Sequence, residues 1–314
     1  VDVFLESQRQ PPREIWLDLD ATDDPLHGNQ VGRFFHGYYR CYCYLPLYIT
    51  CGDFLLASKL NPSSKDPALF AVDELERIVG QIRESWPHTE IIIRGDSGFC
   101  RDYIMTWCEA HQLHYVLGMS RNDRLVAEIA EELEQVREEH EETGKPARRF
   151  RDFTYRTRNS WSCSRRLVGK AEQLPGKANP RFVVTSLEPD RIDARALYED
   201  LYCARGDMEN RIKENQLDLF ADRTSTHTMR ANQLRLWFSS LAYVLLNEVR
   251  RVGLKDTAME RAQCGTIRTR LLKIGGLVTV SVRRVVVSMS CAFPLQDLFA
   301  TVLANIQAAY PQRC

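Results

Sequence analysis

No stretch of this 314-residue sequence approaches the run of about 18 apolar residues that a membrane-spanning helix needs. Charge of one sign is also missing, since Lys plus Arg and Asp plus Glu each number 42, so no global basic excess announces a polyanionic partner. The ten cysteines include no Cys-x2-Cys pair and no regular spacing, which argues against a zinc module and for reduced, mostly small buried residues. Residues 1–13 show no signal-peptide pattern, and there are no internal repeats or low-complexity segments. What remains is a globular chain expected in the cytoplasm, 44% hydrophobic and 27% charged, long enough for one large domain with an insertion or for two domains.

Neutrality is an average of blocks. Glu128 to Glu142 is strongly acidic, whereas Arg148, Arg149, Arg151, Arg156, Arg158, Arg165 and Arg166 crowd between Lys145 and Lys170 with Asp152 as the only acid. Such a basic block suits the DNA backbone, with Arg165 and Arg166 as candidate phosphate contacts. Trp161, among Asn159, Ser160 and these arginines, is either a base-stacking residue or the core of a small β-domain.

In chain order, Ile15 to Thr22 alternates apolar and polar residues, predicting a strand whose polar face ends in Asp18 and Asp20. Two hairpin-linked strands follow, over Tyr38 to Ile49 and Asp53 to Leu60. Leu69, Val72, Leu75, Ile78, Val79 and Ile82 have the spacing of an amphipathic helix that Pro87 closes. The run Glu90 to Arg94 reads as a buried parallel strand delivering the turn Gly95-Asp96-Ser97-Gly98-Phe99. A helix over Arg101 to His111 and a strand over Leu113 to Met119 come next. Beyond the acidic helix, three strands (150–158, 164–171, 181–186) make a β-rich block. An apolar helix over Arg230 to Arg250 is expected to cover the sheet, and the tail holds a short basic helix, a hairpin over 277–289 and a last helix over 295–308. His27 and His36 are expected to be satisfied loop histidines.

Between the β-rich block and the apolar helix lies Tyr202-Cys203-Ala204-Arg205-Gly206-Asp207-Met208-Glu209. As one helix, Tyr202, Arg205, Glu209, Lys213 and Gln216 would fall within an arc of about 80°. Gly206 costs about 1 kcal/mol inside a helix relative to Ala, and a break there would detach Tyr202 and Arg205 from that face. Read as residues alone, the segment is equally a solvated helix with an i,i+4 pair from Glu209 to Lys213. Asp20 late in a strand, Asp96 just past another and Glu209 on a later helix stand where a covered sheet usually places ligands. Three convergent carboxylates are a natural cradle for Mg²⁺, which prefers oxygen ligands.

The spacing Tyr-x2-Arg-x3-Glu at Tyr202 to Glu209, with Asp20-Ala21-Thr22 and Asp96-Ser97-Gly98-Phe99 before it, resembles the signature of bacterial insertion-sequence transposases of the DDE class. The resemblance implies an α/β fold, a ribonuclease-H-like mixed sheet flanked by helices, with a β-rich insertion between the second and third acids. On that plan residues 1–120 are the first part of the core, 121–189 the insertion, 190–252 the second part and 253–314 a C-terminal region. The implied activity is metal-dependent cleavage at transposon ends followed by strand transfer. Asp20, Asp96 and Glu209 would hold two Mg²⁺ ions, for which Mn²⁺ substitutes, and Tyr202, Arg205 and Lys213 would contact phosphate. Implied partners are the terminal inverted repeats, target DNA and a second copy of the chain, at the bacterial nucleoid. The family lysine six residues after the glutamate is Gln216 here. Asp18 competes with Asp20, which is preferred for its place nearer the strand end.

Two other readings remain open, a nuclease of the same fold that does not join ends and an inactive remnant that binds DNA or dimerises. About a dozen residues precede the first strand, so the chain is expected to lack an N-terminal end-recognition region.

Overall fold

The structure, a computed structural model, describes residues 1–310. In chain order its main elements are β1 (Glu14–Ala21), β2 (Leu47–Cys51), β3 (Phe54–Lys59), α1 (Ala71–Ser85), β4 (Glu90–Gly95), α2 (Asp102–Ala110), β5 (His114–Met119), α3 (Ala130–Thr143), β6 (Ala147–Tyr155), β7 (Arg165–Leu174), β8 (Arg181–Thr185), α4 (Gly206–Lys213), α5 (Met229–Glu248), β9 (Gly276–Val280), β10 (Val285–Met289) and α6 (Gln296–Ala309). Two compact units result, Val1–Asn210 with Ser225–Asn232, and Arg211–Thr224 with Gln233 onward.

The first unit is built on a mixed sheet in the order β3-β2-β1-β4-β5-β8-β7-β6, with the short strand Lys177–Ala178 pairing the end of β7. β1 is central because it has partners on both sides: antiparallel β2, with Asp20 opposite Tyr48, and parallel β4, with Leu17 opposite Ile93 and Leu19 opposite Gly95. Its alternation sends Leu17 and Leu19, both fully buried, into one core with Leu75, Ile78 and Ile82 of α1 and Ile104, Met105 and Cys108 of α2. On the opposite face Ile92, Val116, Val168 and Val183 are covered by Leu197 and Tyr198. Burying side chains such as these contributes about 1.5–3 kcal/mol each before chain entropy is counted. The expected strand over 38–49 is divided in two. Cys41–Tyr44 joins Asp24–Pro25 and Phe34–His36 in a small separate sheet, and only β2 enters the main one.

The β-rich block is hydrogen-bonded into the same sheet through β8, where Phe182 pairs with Met119 and Thr185 with Val116. Most of its charges are already matched. Arg149 and Arg151 bond Glu139 and Glu132 of the acidic helix α3, at 3.1 and 3.5 Å. Arg148 pairs with Glu199 at 2.6 Å and also reaches Glu172, which holds the buried Lys170 at 2.6 Å. Two arginines of the basic block thus find their counter-charges on the acidic helix, while Arg148 and Lys170 find theirs elsewhere.

In the second unit Glu214 is buried between Arg211 at 2.6 Å and Arg250 at 2.9 Å and accepts the Cys264 amide at 2.9 Å. Burial opposes its ionisation, but these contacts win and hold its pKa below the usual carboxylate range. The apolar face expected to be covered along α5 is not. Leu234, Trp237, Phe238, Leu241 and Leu245 are 49–64% exposed, while Leu236, Tyr243, Leu246, Asn247 and Arg250 are buried. Apolar and polar residues are mixed round α5, so periodicity did not single out its buried face. The hairpin of β9 and β10 forms as expected, with both strands exposed along their whole length.

Candidate active site

Asp20 and Asp96 come together because β1 and β4 are parallel neighbours. With Leu19 level with Gly95, each acid is the next residue along its chain, at the carboxyl ends of adjacent strands. The Asp96 carboxylate accepts the Gly98 amide at 2.8 Å, and the Phe99 amide closes the turn on the Asp96 carbonyl at 3.1 Å. A β-carbon on Gly98 would stand 2.9 Å from that carboxylate oxygen, so the tight turn needs glycine here.

Glu209 arrives from a helical segment that is not one uniform α-helix. A short α-turn at Ala194–Ala196 widens into a π-turn at Leu197–Tyr202, tightens into a 3₁₀ turn at Cys203–Arg205, becomes α4 and widens again at Glu214–Asp218. Gly206 keeps helical angles (φ −56°, ψ −24°) and does not break the segment. Arg205 and Glu209 remain neighbours at 3.9 Å, but the second widening invalidates the even arc extrapolated to Gln216. Lys213 and Gln216 belong to the second unit, where Lys213 is exposed.

A cavity of about 470 Å³ is lined by Asp20, Thr22, Asp96, Ser97, Arg205 and Glu209, with His36, Tyr38 and Tyr39 across from them. Arg205 reaches Asp20 at 3.2 Å and Glu209 at 3.9 Å, spanning two of the acids. Burial pushes the Asp20 carboxyl up to about 6; Arg205 opposes this, while Asp96 and Glu209 add to it. Burial likewise raises the Tyr202 phenol, so it stays neutral at ordinary pH. No three acid, histidine or cysteine side chains among the described residues are close enough to ligate one ion. The donor chemistry nonetheless fits a hard cation: three carboxylates face one cavity, and burial disfavours Asp20 as an anion even with Arg205 beside it.

Asp18 is removed from contention. It is 4% exposed and gripped by Arg94 through two bonds of 2.5 and 2.8 Å. A larger cavity of about 550 Å³ touches this pair, but the two charges are spent on each other. Arg94 also donates to the Leu201 carbonyl at 2.5 Å, tying the segment that carries Tyr202 and Arg205 to β4.

The chain matches Transposase DDE domain group 1 over residues 1–311. It belongs to that family. No curated protein matches it. Among solved structures it is similar to a piggyBac transposase in its synaptic complex with hairpin DNA, at 13% identity and a TM-score of 0.42. That likeness covers 76% of this chain and 47% of the other, so the chain spans about half the length of the solved relative.

Within this DDE family member the expected phosphate contacts of the β-rich block need correction. Arg165 is 5% exposed, with its guanidinium on Asp102 and Glu109 at 2.7 Å each, and it fastens the start of β7 to α2. Arg166 binds Asp152 and donates to the carbonyls of Leu187 and Ile192 at 2.7 and 2.9 Å. Trp161 is also 5% exposed and packs edge-on against Tyr155, which leaves no open face for a base. His27 is exposed, but His36 is more than a loop residue: it lines the acid cavity beside Tyr39, their rings 5.0 Å apart. Sequence reasoning missed His36, Tyr38 and Tyr39. Their only signal was an aromatic-rich loop close behind the first acid. No helix among the described residues is long and apolar enough to cross a membrane.

Proposed function

We propose that this chain is the catalytic part of a transposase that cleaves DNA at transposon ends and joins the freed 3′-hydroxyl to target DNA. The observation that carries the reading is the single cavity faced by Asp20, Asp96 and Glu209, with Arg205 spanning two of them. The strand order β3-β2-β1-β4-β5, with the first three antiparallel and β1, β4 and β5 parallel, supports a ribonuclease-H-like core. On this reading residues 121–189 are an insertion that extends the core sheet.

Asp20, Asp96 and Glu209 would hold divalent magnesium. When bound, it would activate the attacking oxygen and stabilise the leaving one. Asp20 must be ionised to bind it, so with a carboxyl pushed up to about 6 the protein releases protons on loading, and its affinity rises with pH through that range. Arg205 offers a planar two-pronged donor suited to the non-bridging oxygens of a phosphodiester. Tyr202 remains a neutral hydroxyl beside Asp96.

The test is strand cleavage and joining on DNA carrying the element's own inverted repeats, with Mg²⁺ or Mn²⁺. Asp20→Asn, Asp96→Asn and Glu209→Gln should each abolish both steps in a folded protein. Near-normal cleavage by Glu209→Gln would overturn the assignment. Cleavage without joining would make the chain a nuclease, and neither activity in the wild type would make it a binding remnant.

A further inference from the structure

With Arg148, Arg149, Arg151, Arg165 and Arg166 of the β-rich block paired to carboxylates, unspent positive charge beside the acids lies elsewhere on the same sheet edge. β8 pairs with β5 so that Phe182 is level with Met119, which sets Arg181 across from Ser120 and next to Arg121. Moving along this edge, Asp20 is the next-to-last residue of β1, Asp96 follows β4, and Arg121 lies two residues past β5 beside Arg181 at the start of β8. Both arginines are exposed, and neither has a carboxylate partner among the described residues.

They line a second cavity of about 310 Å³ with Asp96, Ser97, Gly118 and Tyr202. Asp96 and Ser97 line the acid cavity as well, so the two hollows share a wall. The Tyr202 hydroxyl occupies the space that a β-carbon on Gly118 would need, at 2.3 Å, and the absent side chain lets the ring form part of the cavity wall. Charge therefore changes sign across Asp96, from three carboxylates on one side to two guanidiniums on the other.

We propose that the hollow lined by Arg121 and Arg181 is a second phosphate subsite. It takes a phosphodiester of the same DNA strand, displaced from the one that faces the acids. This rests on the reading of the acid cavity as the cleavage site, but it makes a separate demand on binding. An anion cannot sit among three carboxylates without a metal, whereas two unpaired arginines attract one at once. The subsite would thus hold the strand before the acids engage it, and it carries no sequence preference, because phosphate contacts position without reading bases.

The experiment measures binding of a fluorescent thymidine oligonucleotide in metal-free buffer across a range of salt. The wild-type chain is compared with R121A/R181A and with the surface control R9A/K255A, whose residues are exposed and line neither cavity. Losing two single-strand phosphate contacts should lower the log-log salt slope by about 1.4. The control should keep the wild-type slope, and circular dichroism should show all three proteins folded. An unchanged slope in R121A/R181A would overturn the proposal, as would displacement of the oligonucleotide by millimolar inorganic phosphate as readily as by an unlabelled strand. Repeating the titration on Glu209→Gln separates the two readings. If Glu209→Gln still cleaves while the loss of Arg121 and Arg181 lowers the slope, the acid assignment fails and the subsite stands; if Glu209→Gln no longer cleaves and the slope is unchanged by that loss, the subsite fails and the acid assignment stands.

Discussion

Asp18 and Arg94 are cross-strand partners on β1 and β4, one step before the acids Asp20 and Asp96 on the same pair of strands. Two successive polar pairs thus line one face of the ladder, the first of opposite charge and closed, the second of like charge and open. Breaking a buried pair by removing one partner costs about 3–5 kcal/mol, because the other charge is left stranded. Arg94→Leu should lower stability by that order in denaturant unfolding, and Asp18→Leu/Arg94→Leu should recover much of the loss. Full stability in the single variant would contradict a structural role for the pair.

Gly118 and Tyr202 make a second prediction. An alanine methyl at 118 would meet the Tyr202 hydroxyl at 2.3 Å, the ring at 3.1 Å and the Ser97 amide nitrogen at 3.2 Å. Overpacking of this kind costs about 1–3 kcal/mol. Since the hydroxyl is the nearest obstacle, Gly118→Ala should cost less in a Tyr202→Phe background. A double-mutant cycle of melting temperatures should therefore show clear non-additivity, and strict additivity would place the tyrosine elsewhere.

Arg165 and the pair Arg121 and Arg181 should separate stability from binding. Arg165→Ala leaves Asp102 and Glu109 facing a buried gap, so it should unfold at markedly lower denaturant. Any protein that remains folded should keep the wild-type salt slope for DNA. R121A/R181A should do the reverse, with its melting temperature within a degree or two of wild type. Weakened DNA binding by a fully stable Arg165→Ala would restore that residue to the surface role its sequence suggests.

The sequence made the strands and the order of acids legible because both depend on short-range pattern. β1 alternates, β4 is a pure apolar run, and Asp20 and Asp96 stand at their ends. What it hid were long-range pairings. Nothing near Arg165 announces Asp102, some sixty residues earlier, and nothing near Arg149 announces that helix α3 is its counter-charge. Asp18 and Asp20 look alike along the strand, and only the neighbouring Arg94 distinguishes them. Along α5, apolar and polar residues are mixed round the helix, so its periodicity names no face, and the buried pair of Glu214 with Arg250 just past its end was not legible either. The aromatic wall of the acid cavity came from a loop whose composition carried no chemical motif.

Asp20 ties the site to pH. Its folded carboxyl is raised to about 6, above an unfolded value near 3.8, so between these values the folded state holds a proton that the unfolded state has released. Stability at this position is therefore full below pH 4 and falls as pH rises to 6, by on the order of 2–3 kcal/mol. Asp20→Asn should be more stable than wild type at pH 8 in the absence of metal, and the difference should vanish near pH 4. Divalent cation reverses the order. Magnesium or manganese bound to the ionised carboxylate stabilises the folded state by mass action, so millimolar metal should raise the wild-type melting temperature at pH 8 and leave Asp20→Asn nearly unchanged. The same shift should shrink below pH 6, where protons compete for the carboxylate. A melting temperature in the wild type that ignores both pH and metal would mean that Asp20 is neither strained as an anion nor placed to receive a cation, and the acid cavity would lose its claim to be the cleavage site.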